Sequence, residues 1–261
     1  MRSSIARAVE NVEAMKVGGH ENYEKLKQLY SSDGFKAAQA QQIDSALGQM
    51  AGQPAGDTQA NTQQQQEQFP SGKITADQLV KMKEGAYVHG EKDAKFTIVE
   101  YSDPECPFCI RHYKDKTIEN VMSKYDGDVN HIVKAVQGVN HPGTEYKSLA
   151  LLCAGKLGGD KAYYAMYDKM VGGSTPEAPV ANSQVATFAK EAGLNAKNFA
   201  SCLDTKELLS AYSANRQEAL SFKSGGTPGN LIINNEDGSY KLVSGAYPVD
   251  TFTQIIDGRA K

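Results

Sequence analysis

Cys106 and Cys109 are separated by two residues in EYSDPECPFCIRHYK, residues 100–114, directly after an apolar run. Two thiols at that spacing can hold a metal ion, staple the fold, or make and break a disulfide during turnover. Structural zinc needs four closed ligands, typically a second C-x-x-C or a pair of histidines at comparable spacing. Cys153 and Cys202 stand far apart, and no histidine lies two to five residues from either. Of the five histidines only His112 falls near the 106–109 pair. A soft ion such as Cu(I) suits two thiolates, which leaves a metal-binding module as an alternative, but no methionine cluster surrounds the pair. The expectation is no metal and no cofactor.

Position favours redox chemistry. Phe96 to Tyr101 (FTIVEY) reads as a buried strand, and residues 107–125 place Ile110, Tyr113, Ile118, Val121, Met122 and Tyr125 on one helical face. Cys106 then falls at a helix N-terminus, where unpaired N–H groups and the helix dipole stabilise an anion. A thiolate there has a lowered pKa and is a competent nucleophile, with Cys109 one turn further in and more shielded. Pro107 in the first turn costs no hydrogen bond. Exchange chemistry makes Cys106 the nucleophile and Cys109 the resolving thiol.

The elements that must position these thiols follow an alternating pattern. Val129 to Val136 reads as a second strand, and a long helical stretch runs from about 145 to 224, broken at 172–179. Leu231 to Ile233 begins a third strand, NNEDGS is a hairpin turn leading into Tyr240 to Val243, and Pro248 to Ile256 closes as a helix. This is an α/β domain with an α-helical insertion at about 142–215. Before it, residues 1–50 carry three short helical stripes and read as a helical N-terminal arm. Residues 51–72 (AGQPAGDTQANTQQQQEQFPSG) are too poor in apolar side chains to offset their ordering entropy and read as a Gln-rich flexible linker. The core domain therefore spans 73–261.

The strand, C-P-x-C, helix, helical insertion, then Thr227-Pro228 before a strand and terminal hairpin resemble the DsbA-like branch of the thioredoxin-fold disulfide oxidoreductases. The resemblance covers about residues 74–261. It implies that Pro228 is cis and faces the nucleophilic sulfur. It also implies that Thr227 offers backbone groups to an extended substrate chain, with Pro107 and Phe108 beside them. It matches Glu100 to a buried carboxylate beneath the site, which desolvation would give a raised pKa and the capacity to carry the Cys109 proton. One departure bears on redox poise. Phe108 stands where the strongest oxidants of the family have His, and Asp103 and Glu105 add nearby carboxylates. Both changes are expected to stabilise the Cys106 thiolate less.

Cys153 (SLALLCAGKL) and Cys202 (NFASCLDTKEL) both lie in helical pattern within the insertion. Read by themselves they are either buried free thiols or a disulfide; the resemblance implies the disulfide, and with it an oxidising compartment. His89 and His131 read as surface or strand-end residues and His141, before Pro142, as a loop residue. No Ser–His–Asp arrangement can be built from them.

The bulk properties fit this picture. The chain has 261 residues, 40% hydrophobic, enough for a real core without metal or disulfides. A net charge of −3 lacks the basic face of a nucleic-acid binder. No stretch approaches the roughly 18 apolar residues of a membrane span. MRSSIARAVENVEAM has no continuous apolar h-region, so no signal peptide is visible, although the chemistry implies an extracytoplasmic site such as the periplasm. The implied function is thiol:disulfide oxidoreductase, exchanging Cys106–Cys109 with cysteines of exported proteins, chiefly in disulfide formation. A DsbB-like membrane redox partner would re-oxidise it. The alternative is an isomerase or reductase that homo-oligomerises through the 1–50 arm.

Overall fold

The computed structural model describes residues 69–138, 141–203 and 205–259. The expected arm at 1–50 and residues 51–68 of the expected linker lie outside the described residues. In chain order the elements are β1 (Ser71–Lys73), α1 (Ala76–Lys83), β2 (Val88–His89), β3 (Phe96–Ser102), α2 (Pro107–Lys114), α3 (Thr117–Lys124) and β4 (Val129–Ala135). Then come α4 (Thr144–Tyr167), a π-helical turn (Asp168–Gly172), a 3-10 turn (Asn182–Gln184), α5 (Val185–Glu191), α6 (Ala196–Leu203) and α7 (Lys206–Ser221). The chain ends in β5 (Gly229–Asn234), β6 (Ser239–Ser244) and α8 (Val249–Arg259).

The six strands form one sheet in the order β1-β6-β5-β3-β4-β2. Among the described residues only β3 and β4 pair in parallel, and the other ladders are antiparallel. A parallel pair needs a crossover, which α2 and α3 supply, so α2 begins just past the C-terminal end of β3. Every residue of β3 is buried, as expected of a strand covered on both faces. Period-2 alternation sends Ile98 and Phe96 to a core with α3 and α8, and Val99 and Tyr101 to a core with α1 and α7. A third core lies within the insertion, where α4, α5, α6 and α7 pack on one another and on Val133 and Ala135.

Local sequence accounts for the element ends. Thr75 and Gln78 form a reciprocal capping box that starts α1. The predicted helix over 107–125 is two helices, because Lys116 adopts a left-handed backbone (φ 52°) between α2 and α3. An ordinary side chain rarely sits there, so periodicity alone gives no warning of the break. Gly159 (φ 66°) likewise kinks α4, which divides the insertion more finely than the single 172–179 break. Ser71 and Gly72, assigned to the linker by composition, are ladder residues opposite Lys241 and Tyr240, and Phe69 packs edge-on against Tyr247. The polar β1 is a strand because its backbone pairs with β6, which composition does not report.

On the α7 face, Lys134 Nζ donates to Glu218 Oε2 (2.7 Å) and to the Met82 carbonyl (2.8 Å), while the Tyr101 hydroxyl donates to Glu218 Oε1 (2.9 Å). Cys153 on α4 and Cys202 on α6 are disulfide-bonded, with Cα atoms 5.8 Å apart. Replacing both by Ala is expected to destabilise the protein by about 4 kcal/mol in urea unfolding, on the chain-entropy cost of the released loop. A loss below about 1 kcal/mol would place the bond's contribution outside that cost.

Candidate active site

Cys106 is the N-cap residue of α2, with Pro107 at the first helical position. Its sulfur sits 3.3 Å from the carbonyl oxygen of Thr227, and the Thr227–Pro228 peptide is cis. Crossover and hairpin thus bring together two segments 121 positions apart in the chain. Cys106 keeps 6% exposure and Cys109 none, so Cys106 is the sulfur a substrate can reach. Both are free thiols. Beside them Pro107 is exposed and Phe108 is 55% exposed, with the Arg111 guanidinium 5.2 Å from its ring centre.

The two thiols are driven apart in acidity. A hydrogen bond from the Cys109 side chain is the largest influence on Cys106. With the Thr227 side chain and the N–H groups of Phe108 and Cys109, it outweighs burial and brings the pKa down to about 6. Burial pushes the Cys109 thiol well above its ordinary value, and the neighbouring Cys106 adds to the effect. An N–H from Asp103, 3.5 Å from Cys109 Sγ, acts in the opposite sense. The strongest oxidants of this kind reach ~3.5, so Cys106 is stabilised but less so.

The reason differs in part from the sequence expectation. Asp103 and Glu105 are both occupied by donors. Asp103 is fully buried and accepts from Glu105 N (2.9 Å), Thr144 Oγ1 (2.6 Å), Gly138 N (3.1 Å) and His141 Nδ1 (2.9 Å). Glu105 accepts from the buried Lys147 Nζ (2.5 Å) and from Gly143 N (2.8 Å). These carboxylates clamp the segment before the thiols to the loop that enters α4. That loop also walls the cis-proline segment: a Cβ at Gly138 would lie 2.3 Å from Thr227 Oγ1, so any larger residue there must displace the Thr227 side chain. Phe108, which brings no charge, remains as the departure from the strongest oxidants.

Glu100 is buried beneath α2, and its environment reverses one expectation. Burial pushes its carboxyl up, but the His131 ring hydrogen bond (3.1 Å), charge from His112 and His131, and the Ser102 hydroxyl outweigh burial and hold it at about 2. Tyr167 also donates to it, at 3.3 Å. His131, read from sequence as a surface or strand-end residue, is therefore a correction: it is buried in β4 with the Glu100 carboxylate as partner. The partner comes from the neighbouring strand, so strand pairing was needed to see it. Tyr167, Thr144, Lys147 and Gly138 also escaped sequence reasoning; for Lys147 and Tyr167 a polar residue inside a predicted helix was the available signal. His89 is exposed at the end of β2, and His141 lies in the loop before α4.

The sequence model of the thioredoxin family matches residues 81–257, and the chain belongs to that family. Its fold is the DsbA-like form, a thioredoxin core with a helical insertion. BdbD from Bacillus subtilis in its oxidised form is similar, with TM-score 0.58 and 19% identity over 73% of this chain and 97% of that one. Pseudomonas aeruginosa DsbA2 gives 0.55 and 22% over 65% and 91%. ScsC from Proteus mirabilis, in a transitional conformation, gives 0.53 and 18% over 92% and 97%. No curated protein matches the chain.

Thiolate absorbance of the reduced protein is expected to rise with a midpoint near pH 6, with no second thiol titrating below pH 9. Because the folded Cys106 pKa lies below its unfolded value, this contribution to the reduced form is fully present above pH 9 and is lost as pH falls through about 6. Lys147→Met, which strips the partner from Glu105, is expected to cost roughly 3–5 kcal/mol and to raise that midpoint. An unchanged midpoint would show that Glu105 has no electrostatic hold on the sulfur.

Proposed function

We propose that this chain is a protein-disulfide oxidoreductase that exchanges the Cys106–Cys109 pair with cysteines of exported proteins, chiefly in disulfide formation. The observation that carries the reading is a stabilised sulfur at a helix N-terminus, 3.3 Å from the Thr227 carbonyl oxygen. In the oxidising direction a substrate thiolate attacks Cys106 of the disulfide, and Cys109 leaves and takes up a proton. A second substrate thiolate then attacks the substrate sulfur of the mixed disulfide, forming the product bond and releasing the Cys106 thiolate. Substrate lies extended against Thr227 and Pro228, with Pro107 and exposed Phe108 flanking the sulfur.

The Glu100–His131 pair is the proton station for Cys109. A lone carboxylate held at about 2 is a poor proton carrier near neutrality, whereas a carboxylate sharing a proton with an imidazole is a usable one. The Cys153–Cys202 bond supports an extracytoplasmic location, since structural disulfides are rare in the cytosol. So does the fold's likeness to a periplasmic thioredoxin-like protein of Salmonella enterica. Re-oxidation by a DsbB-like membrane partner completes the cycle.

The alternative reading is isomerase or reductase work by a chain that self-associates through the expected arm at 1–50.

Refolding of scrambled substrate and reduction of insulin are expected from the full chain and lost in Cys106→Ala; activity surviving that change would remove Cys106 as nucleophile. Equilibration with glutathione is expected to place the pair inside the ~−270 to −120 mV span, below its oxidising end. A value at that end would contradict the poise argued from Phe108 and Cys106.

A further inference from the structure

The peptide between Ser102 and Asp103 lies where β3 ends against the thiols. Its carbonyl oxygen, on Ser102, accepts from Val136 N at 2.9 Å. In a trans peptide the N–H points the opposite way, and here it meets Cys109 Sγ at 3.5 Å. The Asp103 carbonyl in turn accepts from Cys106 N at 3.0 Å, so this one residue bonds to both cysteines. Pro104 follows it and confines its backbone to the extended region. Asp103 and Cys109 are both without exposure, and a buried N–H needs an acceptor, which the sulfur provides. The Asp103 carboxylate is gripped separately. Thr144 Oγ1 donates to Oδ1 at 2.6 Å, while Gly138 N (3.1 Å) and His141 Nδ1 (2.9 Å) donate to Oδ2.

We propose that the Asp103 N–H receives the charge that develops on Cys109 as it leaves, and that His141 and Thr144 are positioning residues that aim this N–H through the Asp103 carboxylate. This rests on the dithiol function proposed above. When a substrate thiolate attacks Cys106 of the disulfide, the substrate–Cys106 bond forms and the Cys106–Cys109 bond breaks. The electron pair of the broken bond leaves on Cys109, which then takes up one proton. Charge therefore appears on a sulfur that water does not reach. Exchange quickens as the leaving thiol becomes a better anion, and a fixed donor aimed at developing charge lowers the barrier without reorganisation.

Burial, Cys106 and Glu100 all work against charge on Cys109, and the Asp103 N–H works for it. At rest the bond is weak, because a thiol or disulfide sulfur is a poor acceptor. It strengthens as the sulfur ionises, since hydrogen bonds to ionised groups are roughly twice as strong as neutral ones. The donor thus favours the transition state over either ground state, which is what accelerates a step. Cleavage of the disulfide by a thiol and closure of the same mixed disulfide by Cys109 are one step run in two directions. Both depend on the donor equally, so the equilibrium between them does not.

Acid-quenched flow with mass analysis of the full chain follows three steps: cleavage of the oxidised pair by glutathione, attack of reduced Cys106 on oxidised glutathione, and closure of the resulting mixed disulfide by Cys109. His141→Ala and Thr144→Val each remove one donor from the Asp103 carboxylate and leave the backbone intact. Each is expected to slow cleavage and closure by the same factor, about tenfold, less than the 10²–10³ for deleting an oxyanion-hole donor outright. Attack by Cys106, in which Cys109 neither gains nor loses a bond, keeps the parent rate. His141→Asn sets an amide nitrogen near the place of Nδ1 and restores cleavage and closure to within about twofold of the parent. Parent rates of cleavage and closure in both His141→Ala and Thr144→Val overturn the proposal. Equal slowing of all three steps, which a merely structural role would give, overturns it too. A parent protein that forms no mixed disulfide with oxidised glutathione would instead overturn the dithiol function itself.

Discussion

Stabilisation of one anionic sulfur at the first turn of α2 is the interaction on which the rest of the site depends. A helix start supplies N–H groups and the positive end of a dipole, and the parallel β3–β4 pair forces a helix to begin at that end of the sheet. The Cys109 thiol adds a donor from one turn below, and Thr227 closes the other side. Burial opposes all of these, and the balance brings Cys106 down to about 6 while Cys109 goes up. The difference between two sulfurs on one helix turn separates the attacking thiol from the resolving one.

The surroundings show how acidic groups can sit beside such a sulfur. Asp103 and Glu105 would oppose the thiolate if they faced it unpaired. Each is instead saturated by donors from the loop and helix that follow β4, and those same bonds hold that loop against the segment before the thiols. A buried ion pair such as Glu105–Lys147 is weak evidence of stability, because desolvation offsets most of the attraction. Its stronger consequence is geometric: it fixes where α4 begins relative to the thiols. Beneath the helix, Glu100 and His131 are likewise paired across neighbouring strands.

The insertion completes the site. Its first helix, α4, carries Thr144 and Lys147 at one end and Tyr167 at the other, so both polar clusters use the same helix. The Cys153–Cys202 bond ties α4 to α6, and Glu218 on α7 anchors the bundle to the far face of the sheet. Structures at about 20% identity share this fold, which fits a design set by strand order and a few contacts more than by most side chains.

What the sequence by itself determined is local: the buried strand before the thiols, the helix start at Pro107, the Thr227-Pro228 approach, the hairpin, and a helical insertion. Hydrophobic period, Pro and Gly placement and C-x-x-C spacing are properties of neighbouring residues, so they are legible one residue after another. Only the tertiary structure decided that His131 meets Glu100, that Asp103 and Glu105 are saturated rather than free, and that polar Ser71–Lys73 joins the sheet. It alone placed the break at Lys116 and the Asp103 N–H against the Cys109 sulfur. Each of these depends on a partner from another element. Charge, acidity and burial are set by what lies opposite a residue in space, and one-dimensional spacing carries no record of that partner.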